Sequence, residues 1–294
     1  MNESKSITGE FLLEIGPYRV TAITAETFRL DGGAMFGVVP KALWSKRITP
    51  DEQNRIPMVT RVLLIESSDR KILVDLGCGN CLSEKEQDHV ALKTAQSCYL
   101  DEVLSGVTDV VLTHLHFDHA AGVARKTDSG AILPRFPNAT HYLQRSHWGY
   151  VADPHVREKN AFRSDNLQVL QAVKLVLIEG QNELFPGITV QKSDGHTKGM
   201  QIVLVSDGSQ TLAFPTDLVP TSHHLPVGYV MGYDQCAEQS CNEKQNFLEQ
   251  AAAGNWIVVF AHDSSLTAAR VVPSGKGKFE VSEKISGTKR QITT

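Results

Sequence analysis

The sequence predicts a mixed α/β fold in which helices cover the outer faces of mixed β-sheets. Three observations lead there. Short runs rich in β-branched residues recur along the chain, some are paired across polar turns, and others alternate with segments of helical spacing.

Two β-rich pairs open the chain, 11–15 with 18–28 and 59–66 with 71–74. The polar turn Ser67-Ser68-Asp69-Arg70 joins the second pair and makes it a hairpin. Residues 83–105 carry apolar side chains at 92, 95, 99 and 103, the spacing of one buried helical face. The run 109–113 reads as a buried strand, and 164–173 and 238–254 as helices. Further short strands are expected at 175–178, 188–191, 201–205, 212–214 and 257–260. From about residue 282 the chain is polar and is expected to fray.

Composition excludes several classes. Of the 294 residues, 41% are hydrophobic and 21% charged, values of a folded globular chain. The longest apolar runs, 107–113 and 256–261, are strand-length, against the ~20 residues that cross a bilayer, so no membrane partner is expected. A net charge of −4 offers no basic footprint for nucleic acid. The opening MNESKSITGE lacks the apolar stretch of a signal peptide, and five cysteines cannot all pair internally. A cytoplasmic protein with reduced thiols is therefore expected. With no repeat, low-complexity tract or linker, one domain over 1–294 is expected. Eleven histidines are the oddity, and their positions are informative.

Four potential metal ligands stand within six residues in Thr113-His114-Leu115-His116-Phe117-Asp118-His119, directly after an apolar strand. Residues two apart in an extended chain share a side, so His114 and His116 can hold one ion. Asp118 and His119 follow where the chain turns and can reach a second. Imidazoles with a carboxylate suit zinc, and also manganese or iron.

This segment resembles the metallo-β-lactamase superfamily, whose His-x-His-x-Asp-His signature it matches in full. Three later residues match the remaining ligands of that family: His196 in Asp-Gly-His-Thr, Asp217 after the strand 212–214, and His262 after the strand 257–260. The resemblance implies a four-layer αββα sandwich of two mixed β-sheets with two divalent ions, zinc foremost, at one edge. His114, His116 and His196 would hold one ion, Asp118, His119 and His262 the other, with Asp217 and a water bridging them. Two divalent ions, two carboxylates and a hydroxide leave such a site at +1, which stabilises oxyanions and acidifies water. Asp118 would move protons. Hydrolysis is the implied chemistry, by a bridging hydroxide acting on a small ester and foremost a lactone, as in the lactonase-like and organophosphate-hydrolase-like branch.

Residues around the signature extend the reading. Asp75, in Val-Asp-Leu-Gly, matches a family position that orients a metal-bound histidine, although a turn-forming Asp would look the same. Met35 and Phe36, in the Gly-rich stretch 31–40, are either a pocket wall or core residues, and Trp148 is a further candidate for apolar contact. Lactonases of this family carry a carbonyl-binding tyrosine three positions after the bridging Asp; here Pro220 stands there. His223, His224 or a nearby tyrosine, Tyr229 or Tyr233, is then expected to supply the donor. After the signature, Ala121-Gly122 keeps the small pair usual in the family.

Other readings remain open at this stage. Within the superfamily they are a phosphotriesterase or arylesterase, and a thioesterase; outside it, a metal-binding sensor without turnover. Cys78-Gly79-Asn80-Cys81 has redox spacing but no second such pair. A homodimer is expected from the family resemblance and the apolar segment 35–44.

Overall fold

The computed structural model describes residues 11–94 and 103–287. The chain begins with the hairpin β1 (Phe11–Ile15) and β2 (Tyr18–Asp31), then two short helices, α1 (Gly32–Phe36) and α2 (Lys41–Trp44). Next come β3 (Arg55–Glu66), β4 (Lys71–Val74), α3 (Glu84–His89), β5 (Lys93–Thr94) and β6 (Asp109–Val111). A short helix, α4 (Phe117–Ala120), leads to a small hairpin of β7 (Ala124–Lys126) and β8 (Ile132–Pro134). After β9 (Thr140–Gln144), α5 (Arg145–Tyr150) and α6 (Ser164–Ala172), β10 (Lys174–Ile178) completes the first half. The second half runs β11 (Asn182–Phe185), β12 (Ile188–Ser193), β13 (Met200–Ser206), β14 (Thr211–Phe214), α7 (Ala237–Ala253), β15 (Ile257–Val259), β16 (Ala268–Gly275) and β17 (Lys278–Ile285).

Two large sheets result, ordered β1-β2-β3-β4-β6-β9-β10, with β5 on β2, and β11-β12-β13-β14-β15-β16-β17. Both are mixed: β4, β6, β9 and β10 run parallel, as do β14 and β15, and the other pairs are antiparallel. Alternation along each strand sorts side chains between two layers. Leu63, Ile65, Ile72, Val74 and Val111 meet Ile188, Val190, Val203, Phe214, Ile257 and Val259 between the sheets. The intervening Leu64, Leu73, Val110 and Leu112 face outward, where Val169 and Leu170 of α6 cover them. On the second sheet Ile202, Leu204, Ala213 and Val258 point outward under Phe247, Leu248 and Ala251 of α7. The order is helix, sheet, sheet, helix: the expected four-layer αββα sandwich.

Two local expectations change. Among the described residues, the helical spacing over 83–105 yields α3, capped at its start by a reciprocal Ser83–Glu86 box and closed by left-handed Ala91 (φ 47°). Lys93 then pairs with Thr27 of β2, which interrupts the helical pattern there, and residues 95–102, with the apolar positions 95 and 99, lie outside the described residues. The polar segment after 282 continues β17, which pairs with β16 through Ile285. Its Lys- and Glu-rich exposed face is that of a protected edge strand. The stretch 31–40 starts α1, with Asp31 Oδ1 accepting from the Ala34 N–H at 2.8 Å.

One carboxyl group is buried where chain chemistry does not demand it. Glu26, at an irregularity of the β2–β3 register, accepts from the Thr60 hydroxyl and from the Gly79 N–H at 3.3 Å. Burial outweighs these bonds and pushes its pKa from 4.5 up to about 7. The folded protein then keeps a proton that the unfolded chain has released, so stability falls as pH rises from 4.5 to about 7. Glu26→Gln should remove this fall. In urea denaturation the variant should gain on the wild type, between pH 4.5 and 8, by about 3 kcal/mol. An equal difference at both pH values would contradict the assignment.

Candidate metal centre and substrate pocket

The candidate site forms where strands of both sheets end. In the parallel part of the first sheet, Asp75 follows β4, and His114 and His116 follow β6. In the second sheet, His196 lies in the β12–β13 turn, while Asp217 and His262 follow the parallel strands β14 and β15. Ligands of open α/β sheets gather at such carboxyl ends. Asp118 and His119 belong to α4, which His116 precedes as its first cap residue. Gly122 lets this segment close on the β4 loop, since a Cβ there would lie 2.2 Å from the Leu76 carbonyl. The Gln201 N–H donates to the Thr113 carbonyl at 2.9 Å and joins the two sheets beside the site.

The seven expected ligands converge as two buried groups: His114, His116, His196 and Asp217, and Asp118, His119 and His262. Asp217 stands between them. Its Oδ2 lies 3.1 Å from His196 Nε2 and 3.7 Å from His114 Nε2. Its Oδ1 lies 2.9 Å from His262 Nε2 and 3.3 Å from His119 Nε2. Asp118 Oδ2 is 3.7 Å from His262 Nε2.

The opposite nitrogens of these rings are already taken. His119 Nδ1 reaches Asp75 Oδ2, His196 Nδ1 reaches Asp234 Oδ1 and His262 Nδ1 reaches the Val59 carbonyl, each at 2.8 Å. His116 reverses the pattern, with Nε2 at 2.7 Å from Glu158 Oε1. In each case the partner accepts, so the ring hydrogen sits on that side and a neutral ring turns its lone pair inward. His119 Nε2 then faces His262 Nε2 at 3.0 Å, and His196 Nε2 faces His116 Nδ1 at 3.1 Å. Asp217 Oδ1, though buried, has no hydrogen-bonded partner among the described residues. Lone pairs pointed at one another around an orphaned carboxylate oxygen fit a cation, and the outer carboxylate–histidine pairs are those that orient metal ligands.

The electrostatics agree. Burial opposes charge on His114, His116, His119 and His196, and at His114 it prevails, helped by His119 and His116, so that pKa lies well below the usual value. At His119 and His196 the charge of Asp217 outweighs burial and raises the pKa, at His196 to about 10. Asp217 resists the upward push of its own burial because His119, His262 and His196 surround it, and its pKa falls well below the usual range. The cluster favours positive charge around Asp217.

Several supporting residues carried no local sequence signal. Glu158 bonds to His116 and accepts from the Tyr150 hydroxyl at 2.8 Å, and Asp234 bonds to His196. His147 accepts from the Leu115 N–H at 2.9 Å and donates from Nδ1 to the Lys198 carbonyl at 2.7 Å, linking both ligand loops. Burial lowers its pKa to about 4, which suits a neutral ring in that bridge. Arg61, buried on β3, donates to the Phe260 and Asp263 carbonyls and holds the loop of His262. Thr216, a β-branched residue in left-handed conformation (φ 49°), turns the chain into Asp217, and Asp75 is left-handed too (φ 59°). Asp75 accepts from the Thr113 N–H and hydroxyl as well as holding His119, which favours the orienting reading over a mere turn.

A pocket opens beside the cluster. His116, Asp118, His196, Asp217 and His262 form its floor; Leu30, Met35, Met58, Phe117 and Met231 its apolar walls; Arg157, Tyr233 and Gln235 its polar rim. Met35 is thus both buried and part of the wall. Phe36 and Trp148 are not: Phe36 is stacked between Trp44 and His224 in the core, and Trp148 packs against the outer face of the first sheet. Of the five expected proton or carbonyl partners, Tyr229 lies edge-on to Phe36, while Asp118 and Tyr233 line the pocket. His223 and His224 do not. His224 is fully buried, with Nδ1 at 2.8 Å from the Thr221 hydroxyl and Nε2 at 2.8 Å from the Met35 carbonyl. Pro220 instead accepts the His262 N–H at 2.9 Å through its carbonyl. Cys78 is buried and Cys81 partly so, both are free thiols, and burial raises both pKa values. Low-pKa thiolate chemistry is not built there.

Comparison with known proteins places this geometry. The sequence model of the metallo-beta-lactamase superfamily matches residues 55–262, ending on the last of the seven converging residues. An N-acyl homoserine lactonase from a Bacillus species is 25% identical over 236 residues, 74% of this chain and 85% of that protein. Among solved structures, a probable metal-dependent hydrolase from Staphylococcus aureus has a TM-score of 0.83 at 29% identity, covering 96% of this chain and 100% of its own. A dizinc quorum-quenching lactonase in complex with a product has a TM-score of 0.76 at 19% identity, covering 96% and 99%, a likeness of fold.

The packing around His224 predicts a structural rather than a chemical role. His224→Ala removes two hydrogen bonds and a stacked ring from a filled site, and should cost about 2–4 kcal/mol in urea denaturation. An unchanged stability would contradict that role.

Proposed function

The chain belongs to the metallo-beta-lactamase superfamily and is a metal-dependent hydrolase, and from this premise we propose that it works with two divalent ions, zinc foremost, on a small ester, best a lactone. The observation that carries the reading is the placement of one carboxylate, Asp217, between two histidine groups at the floor of an apolar pocket. His114, His116 and His196 would hold one ion, and Asp118, His119 and His262 the other, with Asp217 shared. When bound, such ions supply Lewis acidity toward a carbonyl and an activated water.

The chain's own residues divide the remaining work. Asp118, on the pocket floor, is placed to take the proton of the attacking water and return it to the leaving oxygen. Tyr233 is the donor for the substrate carbonyl. Although 39% exposed at the rim, it is partly desolvated, which together with the charges of Asp118 and Asp31 pushes its pKa up to about 12, so the phenol keeps its proton at neutral pH. A phenol that remains protonated can donate to a developing oxyanion. Leu30, Met35, Met58 and Met231 offer an uncharged wall suited to an acyl chain. A pocket of about 230 Å³ admits a short acyl group rather than a polymer. In a lactone the leaving alkoxide stays tethered within reach of Asp118.

The zinc-loaded protein should open acyl lactones with higher kcat/KM than aryl esters or phosphotriesters. Tyr233→Phe should lower kcat for the lactone roughly 10²-fold. A phosphotriester preferred by tenfold or more would replace the lactonase reading with an organophosphate-hydrolase reading. An unchanged kcat in Tyr233→Phe would remove Tyr233 from the reaction.

A further inference from the structure

Helix α7 buries Lys244, Phe247, Leu248 and Ala251 on one face, at the i, i+3, i+4 and i+7 positions of an apolar stripe. A lysine at such a position requires partners, because an unpaired buried ammonium is costly. Lys244 Nζ donates to the Tyr229 carbonyl at 2.5 Å and to the His224 carbonyl at 3.2 Å, and burial lowers its pKa to about 8 against the opposing charge of Asp234. It thereby anchors the loop that supplies Tyr233 to the pocket and Asp234 to His196.

Its neighbour Glu243 anchors the opposite side. Glu243 Oε2 accepts from the Ser193 hydroxyl at 2.6 Å and from the Gly195 N–H at 3.1 Å. The Asp194 N–H donates to Oε1 at 3.0 Å, and the Gln239 amide to the same oxygen at 2.9 Å. Residues 193–195 lead directly into His196. Gly195 sits against the helix so closely that a Cβ would lie 2.4 Å from the Ser240 nitrogen. The return path is tied as well, with the Cys236 N–H donating to the Gly195 carbonyl at 2.9 Å and the Gln235 N–H to the His196 carbonyl at 3.0 Å.

We propose that Glu243 and Lys244 act together as positioning residues that fix His196 from both sides, and so set the metal affinity of the His114–His116–His196 position without setting that of the Asp118–His119–His262 position. Glu243 holds the backbone that carries the imidazole. Lys244 holds the loop whose Asp234 fixes the ring's rotation and tautomer. Neither touches an ion or the substrate, and the inference rests on the two-ion reading above.

The test is stepwise metal binding to the full chain, with zinc titrated against a competing chelator and the cobalt(II) absorption spectrum as a second readout. Glu243→Ala and Lys244→Met should weaken one of two binding steps by about 10- to 100-fold and leave the other within about threefold. The cobalt bands of the weakened position should change with it. Lys244→Arg, which keeps the charge and donors, should restore both steps, and Glu243→Gln, which keeps one acceptor, should fall between. Equal weakening of both steps, or wild-type binding in Glu243→Gln and Lys244→Met alike, would overturn the proposal. A wild-type protein that binds no metal would instead overturn the two-ion reading itself.

Discussion

The arrangement around Asp217 sets the terms for the rest of the molecule. A buried carboxylate has four imidazole nitrogens within 3.7 Å, and the rings that surround it commit their hydrogens to acceptors on the far side. Neutral, such a cluster is a set of lone pairs in contact. Positive charge at its centre, as protons or as metal ions, relieves that repulsion. The raised pKa of His196 and the depressed pKa of Asp217 both express that demand.

Two sheets are what make this concentration of charge tolerable. No single strand carries all seven residues, but strand ends from both sheets reach one edge, and the hydrophobic layer between the sheets fixes their separation. Outer partners then lock each ring: the Thr113 hydroxyl for His114, Asp75 for His119, Glu158 for His116, Asp234 for His196, the Val59 carbonyl for His262. The left-handed Asp75 and Thr216 are conformations costing of order 1–3 kcal/mol each, and they occur where the chain turns into the site. Stability from the packed layers offsets strain at the edge.

Much of the site was legible because its signals are local. His114, His116, Asp118 and His119 lie in one short segment after a strand, and His196, Asp217 and His262 each sit at the end or start of a β-rich run. Glu158 and Asp234 had no such signal: they come from irregular segments 42 and 38 residues from the histidines they serve, and tertiary packing alone brings them in. Phe36 and Trp148 show the converse. Both were candidates for pocket walls, yet both rings fill hydrophobic clusters, whereas Leu30, Met58 and Met231, which line the pocket beside the expected Met35, carried no signal of position. His224 was drawn toward chemistry by its closeness to Asp217 in sequence, but its ring is consumed by stacking and two hydrogen bonds. In the fold, strands with alternating or continuous apolar residues were readable. The edge strand β17 was not, because its exposed face is charged, and the helical spacing that begins after residue 83 is interrupted where Lys93 pairs with β2.

The two-ion account is tested most directly by anomalous diffraction from crystals of the zinc-loaded protein, collected on both sides of the zinc absorption edge. It predicts two anomalous peaks on either side of Asp217, one against His114, His116 and His196 and the other against Asp118, His119 and His262, with one Asp217 carboxylate oxygen directed at each. A single peak at full zinc saturation, or two peaks that leave Asp217 uncoordinated, would contradict it.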